Sequence, residues 1–264
     1  MKLLLNSKQF TIAILIFLLS TTLMATSKKI ILDTAVIVNI AGTQQLLSQK
    51  IAKEYLYVGK KINTSRARKD LKASIISLKQ QHKLLLGYIN DEEIINLLDF
   101  VKMGTEDLED TIMKPFSLDN AQLIIDLSES MLEGSEYVLK SIKLKAYTKE
   151  VKIVEIASKQ RMLAQRIAKY YIAYQSGIRD KNTVQQMKRA VSSFTKLQKG
   201  LLKIDINSPQ INQKLNKIDR LWKIVYKFYL NIEKGGLPLI VFSTTNEISK
   251  EMDKIINLYI DLYK

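Results

Sequence analysis

Gln160, Arg161, Gln165 and Arg166 fall within seven residues of one another and carry the side chains best suited to hold a small oxyanion. A guanidinium presents a fork of donors matched to a planar anion such as carboxylate or nitrate, and an amide one helical turn away adds a further donor. Gln165 lies one turn from Arg161 in this sense. The same chemistry recurs in weaker form at Gln44, Gln49 and Lys50, where Gln45 replaces the first arginine and Lys50 the second. A neutral amide at Gln45 cannot supply charge, so the 160–166 cluster is the better anion candidate. For each arginine alone, a solvated helix face is the competing explanation. Nothing resembles a nucleophile–base pair, a phosphate-binding glycine loop or a zinc spacing, and the expectation is a binding protein without cofactor or metal, not an enzyme. His82, the sole histidine, has no neighbouring ligand cluster in sequence.

These residues sit in a duplicated segment. Residues 38–55 recur at 154–171, an offset of 116 positions, with ten of 18 pairs identical. Weaker matches continue at about the same offset: Ile75, Leu78 and Leu85 with Val191, Phe194 and Leu201, then Leu98 and Val101 with Leu215 and Ile218. The whole unit is therefore repeated. Ala41, Gln44, Ser48, Ile51, Ala52 and Tyr55 share one helical face, as do Ala157, Gln160, Ala164, Ile167, Ala168 and Tyr171. A glutamine at the centre of a core-facing stripe needs hydrogen-bond partners. Gln44 and Gln160 either pair across the bundle and set helix register or contact a ligand, and the residues leave both open. The small Ala and Ser neighbours let a second helix approach closely, or leave room for a small ligand.

Composition supports helices throughout. The 264 residues include only 9 Gly and 3 Pro, and apolar positions recur at helical spacing, as in Val184, Met187, Val191, Phe194, Leu197, Leu201 and Ile204. Breaks are expected at 63–65, 90–91, 114–117, 177–182, 208–209 and 235–238, and Thr244 with Glu247 fits a capping box. No strong breaker other than Gly134 falls between Ser117 and Gly177, which predicts one long helix shared by the two units. The expected fold is all-α, two tandem up-down four-helix bundles sharing that long connecting helix, with a single larger bundle as the alternative. The expected boundaries are 1–25, 26–143 and 144–264.

Lys2, Lys8, the apolar run from Phe10 to Leu19 and the small Ala25 fit a secretory signal cut after Ala25, although Leu23 is large for that role and an uncleaved anchor is the alternative. A periplasmic protein is expected. The absence of cysteine excludes disulfides and thiolate metal sites. A net charge of +15 favours anionic partners; export argues against nucleic acid among them. No other apolar run reaches membrane length, so any signal is expected to pass through a separate membrane receptor or sensor kinase.

The repeated pattern Ala-(Gly/Ser)-x-Gln-x-(Leu/Met)-Leu-(Ser/Ala)-Gln-(Lys/Arg)-Ile-Ala-Lys resembles the hallmark of the PilJ-type sensor domain, found in periplasmic regions of twitching-motility chemoreceptors and related transducers. It is also similar to the P-box of the NarX/NarQ nitrate sensors. The resemblance implies a four-helix bundle per copy and a small ligand such as nitrate, often bound across a homodimer. A structural or assembly protein of the cell envelope or a pilus system is the competing function class, and a basic protein held at an anionic membrane surface is a third.

Overall fold

The computed structural model describes the backbone of residues 7–143 and 148–263, and side chains from residue 33 onward within those limits. It is all-helical: α1 (Ser7–Gly59), α2 (Thr64–Tyr88), α3 (Glu92–Ile112), α4 (Leu118–Lys143), α5 (Lys149–Ser176), α6 (Lys181–Leu201), α7 (Pro209–Leu230) and α8 (Pro238–Asp261), with a short 3₁₀ turn at Ile232–Lys234. Of the expected signal segment, residues 1–6 lie outside the described residues, and so do all its side chains. The backbone from Ser7 continues into α1. Among the described residues no helix is long and apolar enough to cross a membrane.

Helix starts follow side-chain capping. Asp91 accepts from the Ile94 N–H, Ser117 from Asn120, Asp180 from Thr183 and Ser208 from Ile211, with Pro209 in the first turn of α7. Each cap satisfies an N–H that has no partner inside its own helix. Gly177, at φ 115°, closes α5 in the left-handed region that glycine tolerates best.

Two expectations at this level are corrected. The long shared helix does not form: Thr148 is extended (φ −104°, ψ 172°) between α4 and α5, and it caps α5 by accepting from the Val151 N–H. Threonine competes for backbone hydrogen bonds in this way, so a helix can restart without glycine or proline. The capping box at Thr244 and Glu247 is also absent, because Pro238 starts α8 two turns earlier and both residues lie inside it.

α1 packs on α2 and α4, and α3 on α2 and α4; α5 packs on α6 and α8, and α7 on α6 and α8. The two sets meet along α1 and α5, the motif helices, which form the most extensive contact in the molecule. They run in the same direction with equivalent residues abreast, since Gly42 faces Ser158 and Lys53 reaches Gln165. A Cβ on Gly42 would come within 2.6 Å of the Ser158 Cβ. Glycine is what allows the helices to approach this closely.

Candidate functional site

The buried seam between α1 and α5 is polar. Gln44, Gln45, Ser48, Gln49, Lys53 and Glu54 of α1, and Gln160, Arg161, Gln165 and Lys169 of α5, are all buried. Such a row is stable only if its members satisfy one another.

Two lysines at equivalent places, Lys53 and Lys169, cross the seam in opposite directions. The Lys53 ammonium donates to Gln165 Oε1 at 2.7 Å and to Asn246 Oδ1 of α8 at 2.6 Å. Lys169 donates to Ser128 Oγ of α4 at 2.9 Å and to the Glu129 carboxylate. The amides beside them are placed alike, Gln49 Nε2 donating to the Ser128 carbonyl at 2.8 Å and Gln165 Nε2 to the Thr245 carbonyl at 3.3 Å. Ser128–Glu129 and Thr245–Asn246 thus occupy the same positions in the two copies. The chemical difference between them is one carboxylate: Glu129 stands where the other copy has Asn246.

That carboxylate closes its half of the seam. Arg166 donates to Glu129 through Nε at 3.2 Å and through a second, closer contact from Nη2, and Nη2 also donates to Gln186 Oε1 at 3.2 Å. Burial opposes the charge on Glu129, but Lys169 and Arg166 outweigh it and hold the carboxyl down to about 2. Lys169 is fully buried, and burial pulls its ammonium down to about 8 even against the attraction of Glu129. The two directions are compatible, because one carboxylate faces two cations and keeps some solvent contact.

The other half is open. Thr43, Leu46, Lys50, Arg66, Asp70, Arg161, Gln165, Asn246, Lys250 and Asp253 are among the residues around a cavity of about 350 Å³ between α1, α2, α5 and α8. Arg161 pairs with Asp253 and donates to Thr43 Oγ1 at 2.8 Å and Asn39 Oδ1 at 3.3 Å, while its buried Nε has no partner. Arg66 chelates Asp70 at 3.0 and 3.1 Å. Once these two carboxylates are matched, Lys50 and Lys250 remain at the cavity with no carboxylate within ion-pair distance among the described residues, Lys50 acting only at longer range on buried Glu54 one turn along α1. Lys53, beside Asn246, is fully buried; burial lowers its pKa against the pull of Glu54, which lies 2.9 Å away and is buried with it, and of the more distant Asp70.

The seven residues singled out from sequence therefore divide. Lys50, Arg161 and Gln165 converge on one cavity, drawn from both copies. Arg166 and Gln49 lie in the half closed by Glu129. Gln44 and Gln160 sit at neither place: Gln160 donates to Gln198 Oε1 at 3.2 Å, and Gln198 to the Leu215 carbonyl at 2.9 Å, whereas both polar atoms of the fully buried Gln44 lack partners. At the repeat offset, Gln198 corresponds to His82, whose Nδ1 is buried and also unpartnered. Sequence reasoning missed Lys53, Lys169, Glu129, Asn246 and Asp253. The lysines did leave a signal, being identical in both copies and one turn beyond the seam glutamines.

Among the described residues no group of His, Cys, Asp and Glu is arranged to hold a metal ion. No protein-family model matches the chain, and no curated protein or solved structure is significantly similar to it.

Proposed function

We propose that this chain is an extracytoplasmic ligand-binding protein of the PilJ-like sensory type, built as two four-helix bundles fused side by side through their motif helices. It takes one small oxyanion, nitrate or a carboxylate, in the cavity between α1, α2, α5 and α8, and reports through a separate membrane receptor or kinase. The observation that carries this reading is the charge left over there: two lysines with no carboxylate within ion-pair distance among the described residues and an unpartnered arginine Nε around about 350 Å³ of space, opposite a matching half where Glu129 supplies the anion internally. An anion held by Lys50 of one copy and Arg161 of the other would stabilise whichever seam geometry binds it better, so occupancy is converted to a shift in conformation.

A structural or assembly role is the second reading, favoured by the fact that both motif arginines already have carboxylate partners, which lets the seam hold without a ligand. Thermal-shift measurements with nitrate, nitrite, short carboxylates and amino acids separate the two. A binder gives a rise in Tm that grows with concentration, about 2.7 kcal/mol of added stability at a hundredfold excess over Kd. Arg161→Ala and Lys50→Ala should each abolish the rise. A flat response throughout supports the structural role.

A further inference from the structure

A second cavity, of about 620 Å³, opens where α1 ends, bounded by Tyr55, Val58, Gly59, Lys61, Thr64, Arg68, Leu71, Ile112, Lys114 and Phe116. Its floor is apolar and aromatic. Phe116 sits against Gly59, where an added Cβ would come within 2.0 Å of the ring, and its centroid is 5.5 Å from that of Tyr55. The rim is cationic: Lys61, Arg68 and Lys114 are exposed, and none has a carboxylate within ion-pair distance among the described residues. Tyr55 is 5% exposed, and its hydroxyl is buried without a hydrogen-bond partner. A buried phenol left unpaired in its own fold costs stability unless something else accepts from it.

The corresponding corner of the second copy is filled. Tyr229 stands where the first copy has Ile112, with its ring 5.8 Å from that of Tyr171, the counterpart of Tyr55. Val184 replaces Arg68, Gly177 replaces Lys61 and Asn231 replaces Lys114. The second copy therefore lacks the cationic rim of this corner; its own cavity, of about 450 Å³, lies further along α6 and α7, beside Tyr226, Tyr229, Lys188, Lys196 and Lys199.

We infer that the cavity at the C-terminal end of α1 binds an aromatic carboxylate, its ring seated on Phe116, Tyr55 and Leu71, its charge met by Arg68 with Lys61 and Lys114, and the Tyr55 hydroxyl donating to it. This site is separate from the oxyanion cavity and goes beyond the function proposed above. Apolar walls with a few placed polar groups are the usual make-up of a small-molecule site, and the guanidinium fork suits a carboxylate.

Calorimetric titration of the full chain with 2-naphthoate tests it. Saturable binding of one molecule per chain is expected, weakened at least tenfold by Arg68→Ala and by Tyr55→Phe, and lost in Ile112→Tyr, which copies the filled corner of the second unit. Neutral 2-naphthol should bind at least tenfold more weakly. Asn246→Asp, which alters only the other cavity, should leave naphthoate binding unchanged. Absence of naphthoate binding, equal affinity in wild type, Arg68→Ala and Tyr55→Phe, or loss in Asn246→Asp with retention in Arg68→Ala would each overturn the assignment. Absence of naphthoate binding, or equal affinity in the variants, leaves nitrate binding at the seam untouched.

Discussion

The two halves of the α1/α5 seam are built from the same motif, yet one is saturated and the other is not. Around Lys169 and Arg166, Glu129 supplies the counter-charge from within the chain. Around Lys53 and Lys50, Asn246 offers only a carbonyl dipole; Lys53 has just its sequence neighbour Glu54 at 2.9 Å, and the cavity keeps two lysines with no carboxylate within ion-pair distance among the described residues. Duplication of a helical unit allows this division, since one copy can be closed for stability while the other keeps unmatched charge. The core layers differ in the same direction: Trp222 fills the second copy, its ring tilted against Phe194 with centroids 4.1 Å apart, where the first has the small Thr105.

The largest expected effect comes from opening the closed half. Glu129→Gln leaves Lys169 buried and Arg166 half-buried with no carboxylate, which should cost about 3 to 5 kcal/mol in denaturant unfolding. A loss under 1 kcal/mol would mean that the seam does not depend on this ion. Acid gives a related signature. The Glu129 carboxyl is held at about 2 in the folded chain against 4.5 ordinarily, so its contribution is fully present above pH 4.5 and fades as pH falls toward 2. That contribution is on the order of 3 kcal/mol, and Glu129→Gln should flatten the stability profile in this window.

Separating the motif helices comes next. Gly42→Val would place side-chain atoms inside the contact with Ser158, and a cost of about 2 kcal/mol is expected, measured as a drop in the urea midpoint with little change in slope. The smallest contrast lies in the paired glutamines. Gln44→Leu removes two unpartnered buried polar atoms and should stabilise by about 1 kcal/mol, while Gln160→Leu deprives Gln198 of its donor and should destabilise by about as much. Equal effects of one sign would remove the distinction between the two cores.

Much of this architecture was legible in the sequence, and the failures have identifiable causes. Apolar stripes such as Ile211, Leu215, Ile218, Trp222, Val225 and Tyr229 are all buried in α7, and turns marked by Asn, Asp, Pro and Gly fall between the helices as expected. The shared helix failed because a single threonine cap carries little compositional signal. Within the site, the arginines and amides stood out by type and repetition. Their partners did not, because Glu129, Asn246 and Asp253 come from α4 and α8, helices whose sequences diverged between copies. An acidic residue on an amphipathic helix reads as solvated until the neighbouring helix is known. Lys53 and Lys169 read as surface charge for the same reason.

The asymmetry of the seam is tested most directly by calorimetric titration of nitrate and acetate into wild type and Asn246→Asp. Asn246→Asp gives the open half the internal carboxylate that Glu129 gives the closed half. Wild type should bind one anion per chain with affinity that falls as ionic strength rises, and Asn246→Asp should bind none while remaining folded. Anion binding of equal strength in both proteins, or none in wild type, would contradict an open half poised for a ligand.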